Sequence, residues 1–311
     1  MADKKKEHLK TLIIGSGPAG LSAALYAARA QLEPLVLSGQ EPGGQVSITH
    51  IVENYPGFPE GIGGPEMVQL FQKQAERFGA RVEFDSATEV DFSKRPYKVT
   101  SYNGEYTADT VIISTGASPR NLQIPGEKEF TGRGVSYCGT CDGFFFKDKE
   151  VVVVGGGDSA MEEGTFLTRF ANKVTVVHRR DELRASAILQ KRAMENPKME
   201  FIWDTEIETI SGNGKVDSVA LKNVKSGEAR EFETDGVFIF IGHLPNTEIF
   251  KDQLAMDDAG YLKVNRYMET DKPGVFAAGE VADPHFRQVV TSAGMGAAAA
   301  IQATRFLEAE A

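Results

Sequence analysis

One pattern occurs twice in this chain and limits what it can fold into. A short apolar run, a glycine-rich turn and a helical stretch follow one another at Thr11 and again at Glu150. In the first copy, Thr11–Ile14 leads into Gly15-Ser16-Gly17-Pro18-Ala19-Gly20, an Ala-rich stretch Leu21–Ala30 and a second apolar run Pro34–Leu37. In the second, Glu150–Val154 leads into Gly155-Gly156-Gly157-Asp158-Ser159-Ala160, a helical Met161–Phe170 and a strand-like Lys173–Val177. Strand, glycine turn, helix, strand is the dinucleotide-binding unit. Its first glycine permits the tight turn, the second lets backbone approach a pyrophosphate, and the third, or an alanine, lets helix and strand pack closely. The helix N-terminus then faces the phosphates. The duplication predicts an α/β fold with two Rossmann-like three-layer domains and one nucleotide site in each. A plain strand–helix turn is the bland alternative for either copy alone.

The copies differ at the end of their second strand, where the generic unit carries an acid for a ribose hydroxyl. The first copy has Ser38 there, with Glu41 slightly later, inside the glycine-rich run Ser38-Gly39-Gln40-Glu41-Pro42-Gly43-Gly44-Gln45. Backbone is expected to do part of the binding. The second copy has His178-Arg179-Arg180, then Arg184. A basic cluster at this place suits a 2′-phosphate, so the second site reads as NADP rather than NAD. The alternative is a solvated basic turn.

The only two cysteines are Cys138 and Cys141, with Asp142 directly after. So close a pair cannot staple distant parts of a fold, but it can close a short, easily reduced disulfide that cycles. A half zinc site or two unrelated buried thiols are the alternatives. Structural zinc needs four ligands, and the chain has no second cysteine pair, so no metal is expected. Asp142 reads as an acid/base group or as a helix or turn cap.

Other stretches add detail. Thr110–Ser114 ends in Thr115-Gly116-Ala117 and Val275–Ala278 ends in Gly279-Glu280, two buried strands finishing where backbone can approach a ligand. A helical pattern covers Glu66–Phe78, and an Ala-rich helix covers Thr291–Leu307, its positive N-terminal end suited to a ligand that becomes anionic. His243–Asn246 looks like a crossing between domains. Of 311 residues, 34 are basic and 44 acidic. The net charge of -10 argues against nucleic acid. No run reaches the ~18 apolar residues of a membrane helix, so no membrane is expected. Met1–Lys10 reads as a solvated Lys-rich arm without an export signal, and the cytoplasm is the expected location. His8, His50, His243 and His285 read as surface or packing residues.

Taken together, the two glycine turns, Cys-Gly-Thr-Cys-Asp-Gly, His-Arg-Arg-x-x-x-Arg and Ala-Ala-Gly-Glu-Val resemble the low-molecular-weight thioredoxin reductases of bacteria, over nearly the whole chain. The resemblance implies FAD in the first copy and NADPH in the second. It implies an interrupted FAD-binding domain, 1–119 with 247–311, around an NADPH-binding domain, 120–246, that carries the cysteines. It places FAD against the first glycine turn, Ser38–Gln45, Asn54, Glu280 and Arg287-Gln288-Val289. The family usually has Asp at position 280, so Glu280 is one methylene longer. The implied activity passes electrons from NADPH through FAD and the Cys138–Cys141 pair to thioredoxin. The expectation puts Cys141 toward the flavin. Both partners of the flavin share one domain, so the inserted domain is expected to rotate about residues near 117–120 and 243–246. A homodimer is implied as well. Rival readings are a related flavoprotein reductase with another disulfide acceptor, and a flavin-bearing redox sensor or binding module of the same fold.

Overall fold

The first strand is longer than its apolar run. In the computed structural model, which describes residues 5–49 and 51–310, β1 spans Lys5–Ile14. The expected solvated arm is therefore corrected from Lys5 onward; its first four residues, like His50, lie outside the described residues. The cause is a partner far along the sequence. β1 runs parallel to β6 (Gly104–Ile113) from Lys5 opposite Gly104 to Ile14 opposite Ile113. The charged half stays in the ladder by pairing its side chains outward, Lys5 with Glu83 and Glu7 with Arg81.

The chain forms two compact units, Met1–Ser118 with Leu244–Ala311, and Pro119–His243. In the first unit β1 is followed by α1 (Pro18–Arg29), β2 (Leu35–Leu37), α2 (Gly64–Arg77), β3 (Arg81–Glu83), β4 (Ala87–Asp91) and β5 (Tyr97–Ser101). The sheet order is β3-β2-β1-β6-β5-β4. Alternation along these strands sorts the core. Leu12, Ile14, Val111 and Ile113 face one cluster around Phe92 and Phe250. Ile13 and Ile112 face the other, among alanines of α1 and of the C-terminal helix. Each fully buried Leu or Ile contributes roughly 1.5–3 kcal/mol.

After β7 (Ala117–Pro119) the second unit begins. It contains α3 (Glu127–Phe130), β8 (Val135–Ser136), α4 (Gly139–Asp142), β9 (Glu150–Val154), α5 (Asp158–Leu167), β10 (Lys173–Val177) and α6 (Ala187–Met194). Then come β11 (Met199–Ile202), β12 (Thr205–Gly212), β13 (Val216–Asn223), β14 (Ala229–Glu233) and β15 (Gly236–Ile239). A parallel sheet, β11-β10-β9-β15-β8, lies between two layers. Val151 and Val153 face the helices α5 and α6, while Val152 and Val154 face the antiparallel β12-β13-β14. The edge strand β8 feeds straight into the cysteines.

β16 (His243–Pro245) leads back to the first unit, which ends with β17 (Val275–Ala277) and α7 (Val289–Glu308). β17 joins β6, with Val275 opposite Val111 and Ala277 opposite Ile113. Within this unit Asn246 is tied to the end of β6. Its side-chain amide donates to the Thr115 carbonyl at 2.9 Å, and the Thr115 hydroxyl donates to the Asn246 carbonyl at 2.7 Å.

Candidate active site

The two glycine turns are built alike. Gly15 stands at φ 109° and Gly155 at φ 145°, where any Cβ would strike the carbonyl of the neighbouring strand end, Ser114 or Phe240. That is why glycine stands first in both motifs. Each turn is tied to the end of its second strand, Gly15 N–H to the Leu37 carbonyl at 2.8 Å and Gly155 N–H to Val177 at 3.3 Å. α1 begins at Pro18 and α5 at Asp158, and neither N-terminus has a side-chain cap. Their first amides remain available to a ligand. A Cβ on Gly17 or on Gly157 would meet nothing within 4 Å, so both turns are open on the side that a pyrophosphate needs.

Around the first turn, Ser16 joins two segments. Its hydroxyl donates to the Ser38 carbonyl at 3.0 Å and accepts from Gly43 N–H at 2.9 Å. The Ser38–Gln45 loop is thereby held against Gly15–Gly20. Gly43 and Gly44 have φ of 89° and 62°, while Gln40 and Glu41 are exposed. Asn54 and Gln288, far apart in sequence, meet at 3.1 Å. Gln288 caps α7 reciprocally with Thr291. Glu280 follows Gly279 beyond β17 and is half-buried. Burial raises its carboxyl to about 7, with Arg287 lowering it and Asp283 raising it further. Asp283 was not visible as a site residue in the sequence. Its buried carboxylate accepts from the N–H groups of His285 and Phe286 at 3.0 Å and of Arg287 at 3.4 Å, and so shapes the loop that presents Arg287 and Gln288.

Around the second turn, His178 and the arginines separate. The His178 ring is buried beneath Gly156, its Nε2 lies 3.1 Å from the Glu182 carbonyl, and burial lowers its pKa. It braces the turn. Arg179, Arg180 and Arg184 are exposed. The loop carrying Arg184 is held to the turn, since the N–H groups of Arg184 and Ala185 donate to the Gly156 carbonyl at 2.7 and 3.1 Å. Asp158 Oδ1 accepts from Ser186 N–H at 2.6 Å, closing the same loop from the helix side. Ser159 and Ala160 lie in the first turn of α5, with Ala160 buried.

Cys138 and Cys141 form a disulfide across one helical turn, with Cα atoms 5.3 Å apart. Cys138 caps α4, its sulfur accepting from Cys141 N–H at 3.2 Å. Ser136 organises the approach: its hydroxyl donates to Asp142 Oδ2 at 2.6 Å and accepts from Cys138 N–H at 3.1 Å. On the other side Glu163 Oε2, from α5, accepts from Thr140 N–H at 3.1 Å. Phe144 and Phe145, just past Asp142, are exposed. Among the described residues, no group of three or more His, Cys, Asp or Glu could hold a metal ion, and no helix is long and apolar enough to cross a membrane.

The sequence matches the pyridine nucleotide-disulphide oxidoreductase family over residues 9–296. The chain belongs to that family. Within it, the chain is 52% identical over 301 residues to a thioredoxin reductase of Streptomyces clavuligerus, covering 96% of this chain and 94% of the relative. It is 48% identical over 303 residues to one of Peptoclostridium acidaminophilum, covering 96% of each. The crystal structure of thioredoxin reductase from Streptococcus pyogenes superposes with a TM-score of 0.93 at 45% identity, over 97% of this chain and 99% of that one. This member of the pyridine nucleotide-disulphide oxidoreductases is an enzyme of the thioredoxin reductase type, with FAD and NADPH as its cofactors. The two open glycine turns with uncapped helix N-termini fit the two nucleotides.

Proposed function

We propose that the first unit holds FAD and the second NADPH, and that electrons leave through Cys138 and Cys141 to the disulfide of a thioredoxin. The FAD-binding domain then corresponds to 1–119 with 247–311, and the NADPH-binding domain to 120–246. Gly15–Gly20, the Ser38–Gln45 loop, Asn54, Thr115, Gly116, Gly279, Glu280 and Arg287–Val289 would hold FAD. Gly155–Ala160 with Arg179, Arg180 and Arg184 would hold NADPH, the arginines on its 2′-phosphate and His178 supporting them from below. Bound together, the two cofactors supply the pair of electrons that opens the Cys138–Cys141 bond.

The protein's own residues carry the rest. One thiolate of the opened pair attacks the thioredoxin disulfide; that bond breaks and a mixed disulfide forms. The second sulfur of the pair attacks the first, Cys138–Cys141 closes again, and thioredoxin leaves as a dithiol, two electrons and two protons richer. Asp142, held beside Cys141 by Ser136, takes and returns a proton. The crossings near 117–120 and 243–246 serve as hinges for a rotation of the inserted domain. The active protein is a cytoplasmic homodimer.

One observation carries this reading: the sole cysteines close a disulfide that caps its own one-turn helix, in the unit that also presents the arginine-edged turn. Cys141→Ser tests it. With NADPH and thioredoxin, turnover is expected to vanish while FAD stays bound. Retained thioredoxin reduction would sink the relay, and a single turnover in the wild type would favour a sensor.

A further inference from the structure

Glu127 is only 4% exposed, yet its carboxylate takes its hydrogen bonds from neutral donors in two separate places. Oε1 accepts from Leu122 N–H and from the Tyr137 hydroxyl, both at 2.9 Å, and Oε2 accepts from Gln123 N–H at 2.7 Å. A carboxylate out of water depends on every such donor. Burial, and then Glu127 itself, push the Tyr137 phenol well above its ordinary range, so it remains a donor at neutral pH. Leu122 and Gln123 belong to the segment that follows the crossing at Pro119, and Gln123 is held there at φ 61°. Tyr137 immediately precedes Cys138.

We propose that Glu127 is a positioning residue that joins the dithiol segment, through Tyr137, to the crossing segment Pro119–Gly126, so that opening the Cys138–Cys141 bond is felt at Leu122 and Gln123. The proposal rests on the reading that this pair cycles. When the bond opens, the two sulfurs part to van der Waals separation and one of the two residues must turn. Thr140 N–H, on the helical side, is held from α5 by Glu163, while Ser136 holds both Asp142 and the Cys138 N–H. A turn on the Cys138 side runs back through Tyr137, whose phenol is bound to Glu127. Moving Tyr137 loads its bond to Glu127, and the same carboxylate holds Leu122 and Gln123. Two sites that share one acceptor are coupled, and the coupling is reciprocal.

Hydrogen–deuterium exchange on the full-length, FAD-loaded protein tests this. Peptides covering 119–126 are compared in the disulfide form and after reduction with dithiothreitol. The expected result is a difference in exchange at Leu122 and Gln123 of about tenfold in the wild type, the scale of one hydrogen bond to a charged group. Tyr137→Phe removes only the phenol oxygen and is expected to abolish that difference while FAD stays bound, with Tm lower by several degrees for the lost bond. Should Tyr137→Phe lose FAD, Glu127→Leu gives the second arm, since it removes both oxygens that receive Tyr137, Leu122 and Gln123; it too is expected to abolish the difference. A wild-type difference under about twofold, or a variant that keeps the wild-type difference, overturns the proposal. Thioredoxin reduction is not read here, so a failure is distinct from a failure of the Cys141→Ser assay.

Discussion

Ser136 donates its hydroxyl hydrogen to Asp142 at 2.6 Å, and the same oxygen receives the N–H of Cys138 at 3.1 Å. The carboxylate beside one sulfur and the backbone of the other are thus held by a single hydroxyl. This arrangement serves a cap and an acid/base group equally well, and substitution separates them. Asp142→Asn keeps an oxygen that can accept from Ser136 but cannot take a proton. If Asp142 moves a proton, turnover with NADPH and thioredoxin falls about a hundredfold or more. Ser136→Ala, which leaves the carboxylate, costs about tenfold, the scale of one charged hydrogen bond. Equal, small losses in steady-state rate for both variants would reduce Asp142 to a cap.

The proposed contact of the exposed arginines with a 2′-phosphate can be measured as a cofactor preference. Arg180→Ala removes a guanidinium from the edge of the second turn while the turn keeps its bonds from Arg184 and Ala185 N–H. The KM for NADPH is expected to rise roughly 10–150-fold, from a bond of about 1.5–3 kcal/mol. NADH, which has no 2′-phosphate, is expected to be used as before. An equal rise for both nucleotides would mean that the cluster is a solvated turn.

His178 stands in the same sequence cluster but, unlike the arginines, is buried against the turn. Its ring fills the space beneath Gly156, so His178→Ala leaves a cavity under the turn. The loss is expected at about 2 kcal/mol, seen as a Tm lower by roughly 4–8 °C. The ratio of NADPH to NADH efficiency is expected to stay within about threefold of the wild type. A collapse of that ratio with an unchanged Tm would make His178 a ligand instead.

Local chemistry was legible in the sequence and long-range pairing was not. Gly15 and Gly155 announce themselves because only glycine tolerates their φ so close to a crossing carbonyl, and that requirement is carried by the motif itself. Lys5–Lys10 reads as an arm because nothing nearby reveals that Gly104–Ala108 will pair with it. Glu127 lies in Glu-Lys-Glu-Phe, a run with every local mark of a solvated turn. Its burial follows from Leu122, Gln123 and Tyr137 closing around it. Asp283 was hidden in the same way, since its carboxylate is buried by holding three amides of a loop. The helix at Asp158 begins earlier than its apolar pattern because Asp158 and Ser159 carry no apolar periodicity, only helix-starting chemistry.

Glu280 sets a pH dependence of unusual sign. An ordinary buried acid with a cationic partner stabilises the fold as pH rises; this one does the opposite. Its carboxyl is raised from 4.5 to about 7, chiefly by burial. Between those values the folded protein binds more protons at this site than the unfolded chain, so stability falls as pH rises through that window and levels off above about 7. The shift corresponds to at most about 3 kcal/mol, less what partial exposure screens. Glu280→Gln resembles the neutral acid and cannot ionise. In urea denaturation of the flavin-free protein, the variant is expected to gain on the wild type progressively from pH 5 to pH 7.5, and to match it at pH 4.5. Other carboxylates titrate in both proteins and cancel in the comparison. A difference that is flat across this range, or one that shrinks as pH rises, would show that Glu280 is charged in the folded protein and stabilised there by Arg287.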